Sequence, residues 1–591
     1  MNSLQQKVQE LIDTGNMDEA QTLLQKSLKE EKSKDNCFAL AEMNFGRKHY
    51  NDAVYYYEEA IKLDPSFHQA YARIAEALLL NGHPFEALDY YGLAIKHGPD
   101  ELGYKQGFVN LVWRFQLKAF NADLKDMVLK CLQTPALDLT YMGQVWQGIL
   151  RFDPAFKDVY KAGQKDDYDD FRKALSRLKD HKPLVEPFFL LGLRRLTVFD
   201  VGFEKFLTFL RRFVLEELRT TPEYRPLAEA LSLYCLATEY VFFVSDAEKE
   251  KLKQVGDDAV LRACYQPLFK QADAALLKAK LPTDLVWPHF TEFEKQAAVR
   301  PGIAVLNIED DVSLKVRAQY EEFPYPRWRH FDSTIRNEVS EGYLREGSPQ
   351  ILVAGCGTGR EAIELASVFP NAQVLAVDLS LTSLSYAVMK AQEFGIQNIE
   401  FRQADILKLG ALDKKFDYIA CSGVLHHMKE PKEGMAVLND LLKPGGAMRI
   451  ALYSELARQE IVTARAVIAE KGYGSDADGI RQFRHDAKGF LRLPTYADIT
   501  GFADYYFLSE CRDLLFHVQE HRYDINGIQN LLQTFKLQFS EFYLPEDILA
   551  RYYKEFPEEA AVADLTNWAK FESRNPKAFR EMYRFWVRKP V

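Results

Sequence analysis

Hydrophobic positions change their periodicity near residue 350, and that change divides the chain into two kinds of structure. Over residues 1–300 apolar residues recur every three or four positions, which is typical of amphipathic helices. From residue 350 onward short apolar runs alternate with helical patterns, and this alternation predicts a parallel sheet covered by helices. The sequence therefore predicts a multidomain protein, with an all-α amino-terminal half followed by an α/β domain.

The segment 350–359, Gln-Ile-Leu-Val-Ala-Gly-Cys-Gly-Thr-Gly, begins this second pattern. Its branched apolar run predicts a strand that is buried on both faces. Gly355, Gly357 and Gly359 then allow a tight turn and let a ligand approach main-chain atoms. A helical pattern follows, and the amino terminus of a helix offers unpaired N–H groups. These features predict the first unit of a nucleoside-binding, doubly wound sheet.

Further strands are predicted at residues 373–377, 399–402, 416–421 and 447–452. The first of these ends at Asp378, where a carboxylate is placed to accept hydrogen bonds from both hydroxyls of a ribose. Helices are predicted at residues 380–394 and 431–442, and residues 443–446 (Lys-Pro-Gly-Gly) are predicted to form a turn.

The amino-terminal region contains a repeat of 34 residues. Four positions recur at this period: Ala53, Tyr57, Ala60 and Pro65 as Ala87, Tyr91, Ala94 and Pro99. Residues 1–100 thus resemble the tetratricopeptide repeat, which implies a superhelix of helical hairpins that commonly binds an extended peptide or another protein. The alternative is a scaffold that only stabilises the chain.

Residues 101–300 remain helical without a persistent period, and proline breaks predict six to nine helices of modest length. This region is predicted to extend the helical array or to connect it to the α/β domain. The most apolar stretch, residues 231–244, contains Glu239 and is predicted to be a buried helix rather than a membrane span.

Composition narrows the possible partners and the location. The net charge of -10 and the pI near 5.8 argue against a general nucleic-acid binder. The seven cysteines are scattered and never spaced as Cys-x-x-Cys, so we expect reduced thiols with no zinc site and no disulfide framework. We therefore expect a cytoplasmic protein without membrane contact and without a bound metal.

Five ordered motifs make the α/β domain resemble a class I S-adenosylmethionine-dependent methyltransferase: residues 355–359, 378–379, 404–405, 423–427 and 442–446. The third glycine comes two residues after the second. In a dinucleotide-binding dehydrogenase this spacing is three residues. The resemblance is tight over residues 350–453 and implies a Rossmann-like methyltransferase domain over residues 301–591. Residues 454–535 are predicted to be a helical insertion on the substrate side, and residues 536–591 to supply the last strands.

The resemblance also implies which residues hold the cofactor, S-adenosyl-L-methionine. Its methionine part is expected against Gly355, Cys356, Gly357 and Thr358. Asp378 is expected to hold the ribose, Leu379 and Ile406 to contact the adenine ring, and Asp405 to accept from the adenine amino group. Ser422, Gly423 and Val424 are expected beneath the methyl group. For Cys356, simple packing is the alternative to any chemical role.

Candidate catalytic residues are His426 and Tyr325, and the candidate substrate-binding residues are Tyr320, Arg327, Trp328 and His427. For the histidine pair the alternative is a structural role. For residues 324–328 (Pro-Tyr-Pro-Arg-Trp), the alternative to a position over the ligand pocket is an aromatic plug at the edge of the domain.

The order of these segments resembles bacterial fusions of repeats to methyltransferases, and part of the insertion resembles a group of bacterial protein lysine methyltransferases. This resemblance implies methylation of a protein or peptide, with lysine favoured, that the repeats recruit. One alternative is a small-molecule methyltransferase whose repeats recruit a partner. Another is an inactive binding scaffold, against which Gly355, Gly357, Asp378 and Asp405 argue. The sequence leaves the acceptor atom and the oligomeric state open.

Overall fold

The computed structural model describes residues 6–8, 10–11, 14–30, 32–178, 182–306, 311–321, 327–328, 343–344 and 347–591. The chain divides into two compact units. One comprises Met1–Val198, Gly202–Phe213 and Glu217–Ala230, and the other comprises Phe199–Val201, Val214–Glu216 and Leu231–Val591. The domain boundaries expected at residues 100 and 300 stay predictions.

The first unit is helical throughout its described residues. Its α-helices are Met17–Glu30, Lys34–Gly46, Tyr50–Leu63, His68–Leu80, Pro84–His97, Leu102–Val112, Ala122–Leu132, Met142–Phe152, Lys157–Gly163, Tyr168–Ser176, Lys182–Val185 and Pro187–Arg195. Two more helices, Val201–Glu217 and Arg225–Ala237, contribute residues to both units.

The helices of the predicted repeat pack in consecutive pairs. Ala53 and Ala60 are fully buried, and Tyr57 fills the space between helices together with Ala41 and Ile74. Small residues at these positions let the helices approach closely, and the same positions are buried in the next copy, at residues 87, 91 and 94. The helical amino-terminal half therefore fits the tetratricopeptide interpretation.

Between residues 101 and 300 the described chain has fourteen α-helices, so the expected number of six to nine was too low. Several of these helices have only one or two turns, and some begin at a polar cap rather than after a proline. Asp258, for example, accepts hydrogen bonds from the amides of Val260 and Leu261, both at 3.1 Å. Proline breaks alone therefore miss these helix starts.

The buried helix expected over residues 231–244 ends at Ala237, so the prediction holds for residues 231–237 and was wrong beyond them. Glu239 and Tyr240 instead adopt left-handed backbone conformations, with φ of 55° and 60°. Such conformations are costly for non-glycine residues, and here the turn is held by Arg481, whose Nε donates to the Tyr240 carbonyl at 2.8 Å. No helix in the described part of the chain is long and apolar enough to cross a membrane.

The second unit contains one eight-stranded sheet. Its strands are β1 (Ala304–Val305), β2 (Gln350–Ala354), β3 (Gln373–Asp378), β4 (Ile399–Gln403), β5 (Phe416–Ser422), β6 (Leu442–Leu452), β7 (Gln538–Phe542) and β8 (Tyr583–Arg588). The order is β1-β4-β3-β2-β5-β6-β8-β7, with β8 antiparallel to both of its neighbours and the other pairs parallel. The order reverses at β2, and a doubly wound sheet binds ligands at the carboxyl ends of its strands at such a point.

The central strands β2, β3 and β5 are buried on both faces, as their apolar runs predict. Leu352 and Ala354 point into one core cluster, whereas Ile351 and Val353 point into the other. The strand β6 begins five residues earlier than predicted, at Leu442. Residues 443–446 bulge opposite Asp417, because Leu442 pairs with Phe416 and Ala447 with Tyr418.

The remaining α-helices of the second unit are Asp246–Leu252, Ala259–Ala263, Ala274–Lys280, Thr283–Val286, Glu292–Val299, Asp311–Tyr320, Arg360–Val368, Leu381–Glu393, Pro431–Leu441, Gln459–Lys471, Ala477–Phe490, Thr495–Ile499, Leu508–Phe516, Ile525–Thr534, Glu546–Glu555 and Leu565–Arg574. Five of them, from Gln459 to Thr534, form the insertion between β6 and β7. The insertion leaves the sheet at the carboxyl end of β6, which is the edge where the glycine turn also lies.

Candidate functional site

The glycine turn after β2 packs directly against the end of β5. Gly355, Gly357 and Gly359 have φ of 77°, 51° and 79°, conformations that favour glycine. A Cβ atom on Gly355 would lie 2.2 Å from Cγ2 of Val424, so the contact leaves no room for a side chain. The amides of Gly355 and Cys356 both donate to the Val377 carbonyl, at 2.8 and 2.9 Å, which ties the turn to β3.

Asp378, at the end of β3, holds the same turn with its carboxylate. Its Oδ2 accepts from the Gly357 amide and its Oδ1 from the Ser380 amide, both at 2.8 Å. Burial raises the pKa of Asp378, and these amide hydrogen bonds oppose the rise. Each carboxylate oxygen retains a second lone pair, so ribose hydroxyls can still donate to it. The ribose role stays a prediction.

Asp405 lies just beyond β4 and is 2% exposed. Its Oδ1 accepts from the Leu407 amide at 3.0 Å, whereas its Oδ2 is buried and has no hydrogen-bond partner among the described residues. An unsatisfied buried acceptor is costly, so a donor is expected there. The amino group of an adenine would supply that donor. The unpaired Oδ2 of Asp405 is therefore compatible with binding of the adenosine part of S-adenosylmethionine.

The other predicted cofactor residues lie at the same edge, at the ends of β3, β4 and β5: Leu379, Ile406, Ser422, Gly423 and Val424. Thr358 is buried inside the turn. Burial raises the pKa of the Cys356 thiol well above its ordinary value, which favours packing over reactivity. All seven cysteines, which lie within the described residues, are free. The structure thus brings these residues together, and their individual contacts to the cofactor stay predictions.

His426 lies in the 3-10 turn Leu425–His427 that follows β5. It is fully buried, and neither ring nitrogen has a hydrogen-bond partner among the described residues. Its ring stacks on Tyr453 with a centroid separation of 3.8 Å. Burial lowers the pKa of His426 well below its usual value, so the ring stays neutral. These contacts favour the structural alternative for this histidine.

His427 has a fixed orientation. Its Nδ1 lies 2.8 Å from the carbonyl oxygen of Gln519, which can only accept, so Nδ1 carries the hydrogen. The lone pair is then on Nε2, which lies 3.8 Å from Oδ1 of Asp513. Burial lowers the pKa of His427, and the Asp513 carboxylate opposes this by raising it.

Asp513 is the centre of this cluster and comes from the insertion helix Leu508–Phe516. Its Oδ1 accepts a hydrogen bond from the Tyr320 phenol, and its Oδ2 accepts one from the Tyr453 phenol at 3.4 Å. Burial works to raise the pKa of Asp513, but His427, His517 and the Tyr320 hydrogen bond outweigh it and leave that pKa lowered. The carboxylate is therefore ionised.

His517 completes the cluster one helical turn after Asp513. Its Nδ1 accepts from the Gln519 amide at 3.1 Å, so its hydrogen is on Nε2, 3.9 Å from Oδ1 of Asp513. Its ring stacks on that of His427 at 3.7 Å. Neither Asp513 nor His517 was among the candidate site residues predicted from the sequence. The spacing of Asp513 and His517, which places both on one helix face, was the available signal.

His427, Asp513 and His517 offer three possible metal-ligand atoms within 4.8 Å of one another. A metal ligand needs a lone pair, and Nε2 of His517 carries a hydrogen in the arrangement described. The two rings are also stacked face to face, so one ion cannot lie in the planes of both. The cluster therefore suits proton exchange better than metal ligation.

Tyr320 joins this cluster to the cofactor edge. Its carbonyl accepts from Oγ of Ser380 at 3.0 Å, two residues after Asp378. The next residue, Glu321, accepts from the Leu381 amide at 2.9 Å. The helix Asp311–Tyr320 is thus held at the amino terminus of the helix Leu381–Glu393, with the Tyr320 phenol directed at Asp513.

Arg327 and Trp328 have structural partners. The Trp328 indole is 6% exposed and donates to the Thr358 carbonyl at 3.1 Å, which supports the glycine turn from the core. Arg327 forms an ion pair of 2.6 Å with Glu292. For these two residues, the contacts favour the aromatic-plug alternative. Tyr325 lies outside the described residues.

Comparison with known proteins agrees with this architecture. Residues 348–483 match the family model described as a methyltransferase domain. An uncharacterized protein of Synechococcus sp. is 35% identical over 174 residues, which cover 27% of this chain and 42% of that protein. The trans-aconitate 2-methyltransferase of Deinococcus radiodurans is 29% identical over 154 residues, covering 25% of this chain and 55% of that enzyme.

Among solved structures, PKMT2 from Rickettsia typhi in complex with AdoHcy aligns with a TM-score of 0.34 and 20% identity, covering 45% of this chain and 55% of that one. The chain spans about half the length of the curated relatives it matches. Residues 348–483 form a methyltransferase domain, as the five motifs predict. Its cofactor is S-adenosylmethionine, the methyl donor expected from those motifs.

Proposed function

We propose that this protein is an S-adenosylmethionine-dependent methyltransferase that modifies a protein or peptide, with the lysine side chain as the favoured acceptor. The observation that carries this proposal is the buried cluster of Tyr320, His427 and Asp513 beside the cofactor turn. An ammonium group must lose a proton before its nitrogen can attack. The cluster provides an acceptor for that proton.

The cofactor supplies a methyl group on a sulfonium sulfur, and the reaction is an in-line displacement that depends chiefly on alignment. Orientation of the reacting groups can contribute about 7–11 kcal/mol. The glycine turn, Asp378 and Asp405 hold the donor side. On the acceptor side, Nε2 of His427 takes a proton from the ammonium, and the adjacent Asp513 carboxylate stabilises the imidazolium that forms. Tyr320 fixes the position of that carboxylate.

His427 has this role, rather than His426, because its tautomer is fixed and a carboxylate lies beside it. His426 has neither feature, and both of its ring nitrogens are enclosed next to Tyr453. A buried histidine without a carboxylate partner is a poor proton acceptor because burial disfavours its charged form.

The charge of the site supports an amine acceptor over an acidic one. One relative is named as a trans-aconitate methyltransferase, so the domain match alone leaves the acceptor open. Asp513 is joined on the insertion by Asp504 and Glu510, which interact with it electrostatically. The ionised Asp513 carboxylate would repel a carboxylate or phosphate acceptor, whereas it would attract an ammonium.

The helical amino-terminal unit supports a protein partner. Its first helices enclose a cavity of about 360 Å³ lined by Gln25, Leu28, Lys29, Lys32, Cys37, Tyr55, Tyr56 and Glu59. The Tyr55 side chain is 54% exposed, and tyrosine is enriched where proteins bind each other. We propose that this unit recruits the peptide substrate, and that the free thiols reflect a cytoplasmic location.

The test is to incubate the full chain with methyl-labelled cofactor and a cell lysate. We expect label on protein bands and, after hydrolysis, on methylated lysine. The His427→Asn variant should lose this labelling while it still binds S-adenosylhomocysteine. Label that appears only in the low-mass fraction would favour the small-molecule alternative, and the absence of cofactor binding would favour the inactive scaffold.

A further inference from the structure

The helix that carries Asp513 is capped by a residue from outside the insertion. Its N-cap residue is Phe507, whose side chain cannot accept a hydrogen bond. Glu239 supplies the acceptor: its Oε2 accepts from the Ser509 amide at 2.6 Å, and its Oε1 accepts from Oγ of Ser509 at 2.8 Å. Burial raises the pKa of Glu239, and the hydrogen bonds from Ser509 oppose the rise. One carboxyl oxygen can accept in either protonation state, so the cap does not depend on the charge of Glu239.

Glu239 lies in a strained turn that the insertion holds in place. Glu239 and Tyr240 both have left-handed backbone conformations, which are costly for non-glycine residues and persist only where their surroundings enforce them. The Tyr240 carbonyl accepts from Nε of Arg481 at 2.8 Å, and the Val241 carbonyl accepts from the Arg484 guanidinium at 3.1 Å. Both arginines belong to the same insertion helix. Each of the three consecutive residues of the turn therefore makes a hydrogen bond to the insertion.

The same contacts reach the start of the helix that carries Asp513. Arg484 donates through Nε to the Tyr505 carbonyl at 2.9 Å, and its guanidinium lies 4.4 Å from the centre of the Tyr505 ring. Asp513 follows Ser509 by four residues, about one helical turn, so the two share a helix face. Oδ1 of Asp513 lies 3.8 Å from Nε2 of His427. A shift at the start of the helix would therefore change the position of this carboxylate beside the imidazole.

We propose that Glu239 is a positioning residue for methyl transfer to lysine, an inference that rests on the proposed function. Through its cap on Ser509, Glu239 fixes the helix Leu508–Phe516 and with it the distance from Asp513 to His427. Without the cap, the first turn of the helix opens and the Asp513 carboxylate moves away from the imidazole. The imidazolium that forms when the lysine ammonium gives its proton to His427 then loses part of its stabilisation. Because that charge develops only during the reaction, the loss falls on kcat rather than on KM.

Steady-state labelling with the full chain tests this role. Lysine methylation from methyl-labelled cofactor is measured at increasing concentrations of lysate protein, which gives a maximal rate and a half-saturating concentration. In Glu239→Ala we expect the maximal rate to fall about tenfold, with the half-saturating concentration within about twofold of the native value. Glu239→Gln should recover most of that rate, because its amide oxygen can accept from the Ser509 amide and its NH2 group can donate to Oγ. If Glu239→Ala does not fold, Glu239→Asp, whose shorter side chain cannot reach Ser509, should give the same loss.

Hydrogen exchange separates this inference from the proposed function. In Glu239→Ala saturated with S-adenosylhomocysteine, the amides of residues 508–516 should exchange severalfold faster than in the native protein. The affinity for S-adenosylhomocysteine should stay within about twofold of the native value, which reports that the variant folds. Faster exchange in the variant, together with no lysine methylation by the native protein, would retain the cap and overturn the proposed function. Unchanged exchange would overturn the positioning role whether or not lysine is methylated.

Glu248→Ala is the matched control. Glu248 is also buried, and it accepts from the amide and from Oγ of Ser245, at 2.9 and 2.8 Å. It caps the helix Asp246–Leu252, which carries none of the residues of the candidate site. Its loss should weaken that helix and leave the maximal rate of methylation unchanged. An equal loss of rate in Glu248→Ala, a native rate in Glu239→Ala, or no recovery in Glu239→Gln would each overturn the positioning role.

Discussion

The Tyr320 phenol donates a hydrogen bond to the Asp513 carboxylate, although 193 residues separate the two in the chain. Tyr320 ends a helix whose last carbonyl is held by Ser380, two residues after Asp378, the predicted ribose-binding residue. Asp513 comes from the insertion on the substrate side. One hydrogen bond therefore connects the edge that holds the cofactor with the cluster that we propose accepts a proton. We therefore expect alignment of the methyl donor and proton removal to be coupled through it.

Removal of this hydrogen bond tests the coupling. In Tyr320→Phe the Asp513 carboxylate loses one of its two phenol donors, so its pKa rises and the ionised form is lost at a higher pH than in the native protein. We expect kcat/KM to fall about tenfold, because a hydrogen bond to a charged group contributes about 1.5–3 kcal/mol. The acid limb of the pH–rate profile should move to higher pH, with unchanged affinity for S-adenosylhomocysteine.

The exposed Tyr553 provides the control, and Tyr553→Phe should behave as the native protein. An unaltered acid limb in Tyr320→Phe would show that Asp513 does not act in the reaction.

The unsatisfied oxygen of Asp405 gives a prediction for cofactor binding. In Asp405→Asn the amide oxygen can still cap the Leu407 amide, but the NH2 group then faces the adenine amino group. We expect the dissociation constant for S-adenosylhomocysteine to rise about tenfold or more, measured by calorimetry. Asp413→Asn, which changes an exposed carboxylate in the same loop, should have no effect. If Asp405→Asn and Asp413→Asn bound S-adenosylhomocysteine with equal affinity, Asp405 would not contact the adenine.

Gly355→Ala separates backbone strain from a steric clash. The new Cβ would meet Val424 at 2.2 Å in a left-handed conformation. Gly395→Ala is the matched control, since its φ is +69° but open space surrounds it. Strain alone costs about 1–2 kcal/mol, so thermal unfolding should show a larger loss for Gly355→Ala. Adding Val424→Ala should restore part of that difference, and no restoration would mean that the clash is not with Val424.

The parts of the fold that are encoded locally were predictable from the sequence. The runs at 350–354 and 373–377 are continuous apolar segments because they are buried on both faces, and the glycines at 355 and 357 follow from the turn they must make. These are short-range signals, so the positions of these strands and of the glycine turn follow from them together with the motifs.

The proton-accepting cluster could not be predicted in the same way, because it is assembled from distant segments. Tyr320, His427, Tyr453 and Asp513 meet only after the insertion folds over the edge of the sheet. Likewise, the turn at Glu239 looked like a helix because its apolar pattern continues. Its carboxylate instead accepts from the Ser509 amide at 2.6 Å, at the start of the helix that carries Asp513. A helical pattern does not reveal such a tertiary hydrogen bond.

His517 gives a prediction about stability and pH. Burial lowers its pKa to about 3 in the folded protein, below the value of 6.5 for an unperturbed histidine. The unfolded chain therefore binds a proton below about pH 6.5 that the folded chain rejects until about pH 3. Stability contributed by the neutral ring is complete above pH 6.5 and is lost as the pH falls through that window. Between pH 7.5 and 5.0 this loss should be about 2 kcal/mol.

In His517→Asn the side chain has no proton to gain, and its amide oxygen can still accept from the Gln519 amide. We therefore measure the free energy of unfolding of the full chain with denaturant at pH 7.5 and 5.0. Its decrease between these pH values should be smaller in the variant than in the native protein by about 2 kcal/mol. The exposed His485 is the control, and His485→Asn should retain the native pH dependence. If His517→Asn also retained it, the ring would be protonated in the folded protein at pH 5.0. Its Nδ1 could not then accept from Gln519, and the proposed arrangement of the histidine pair would be wrong.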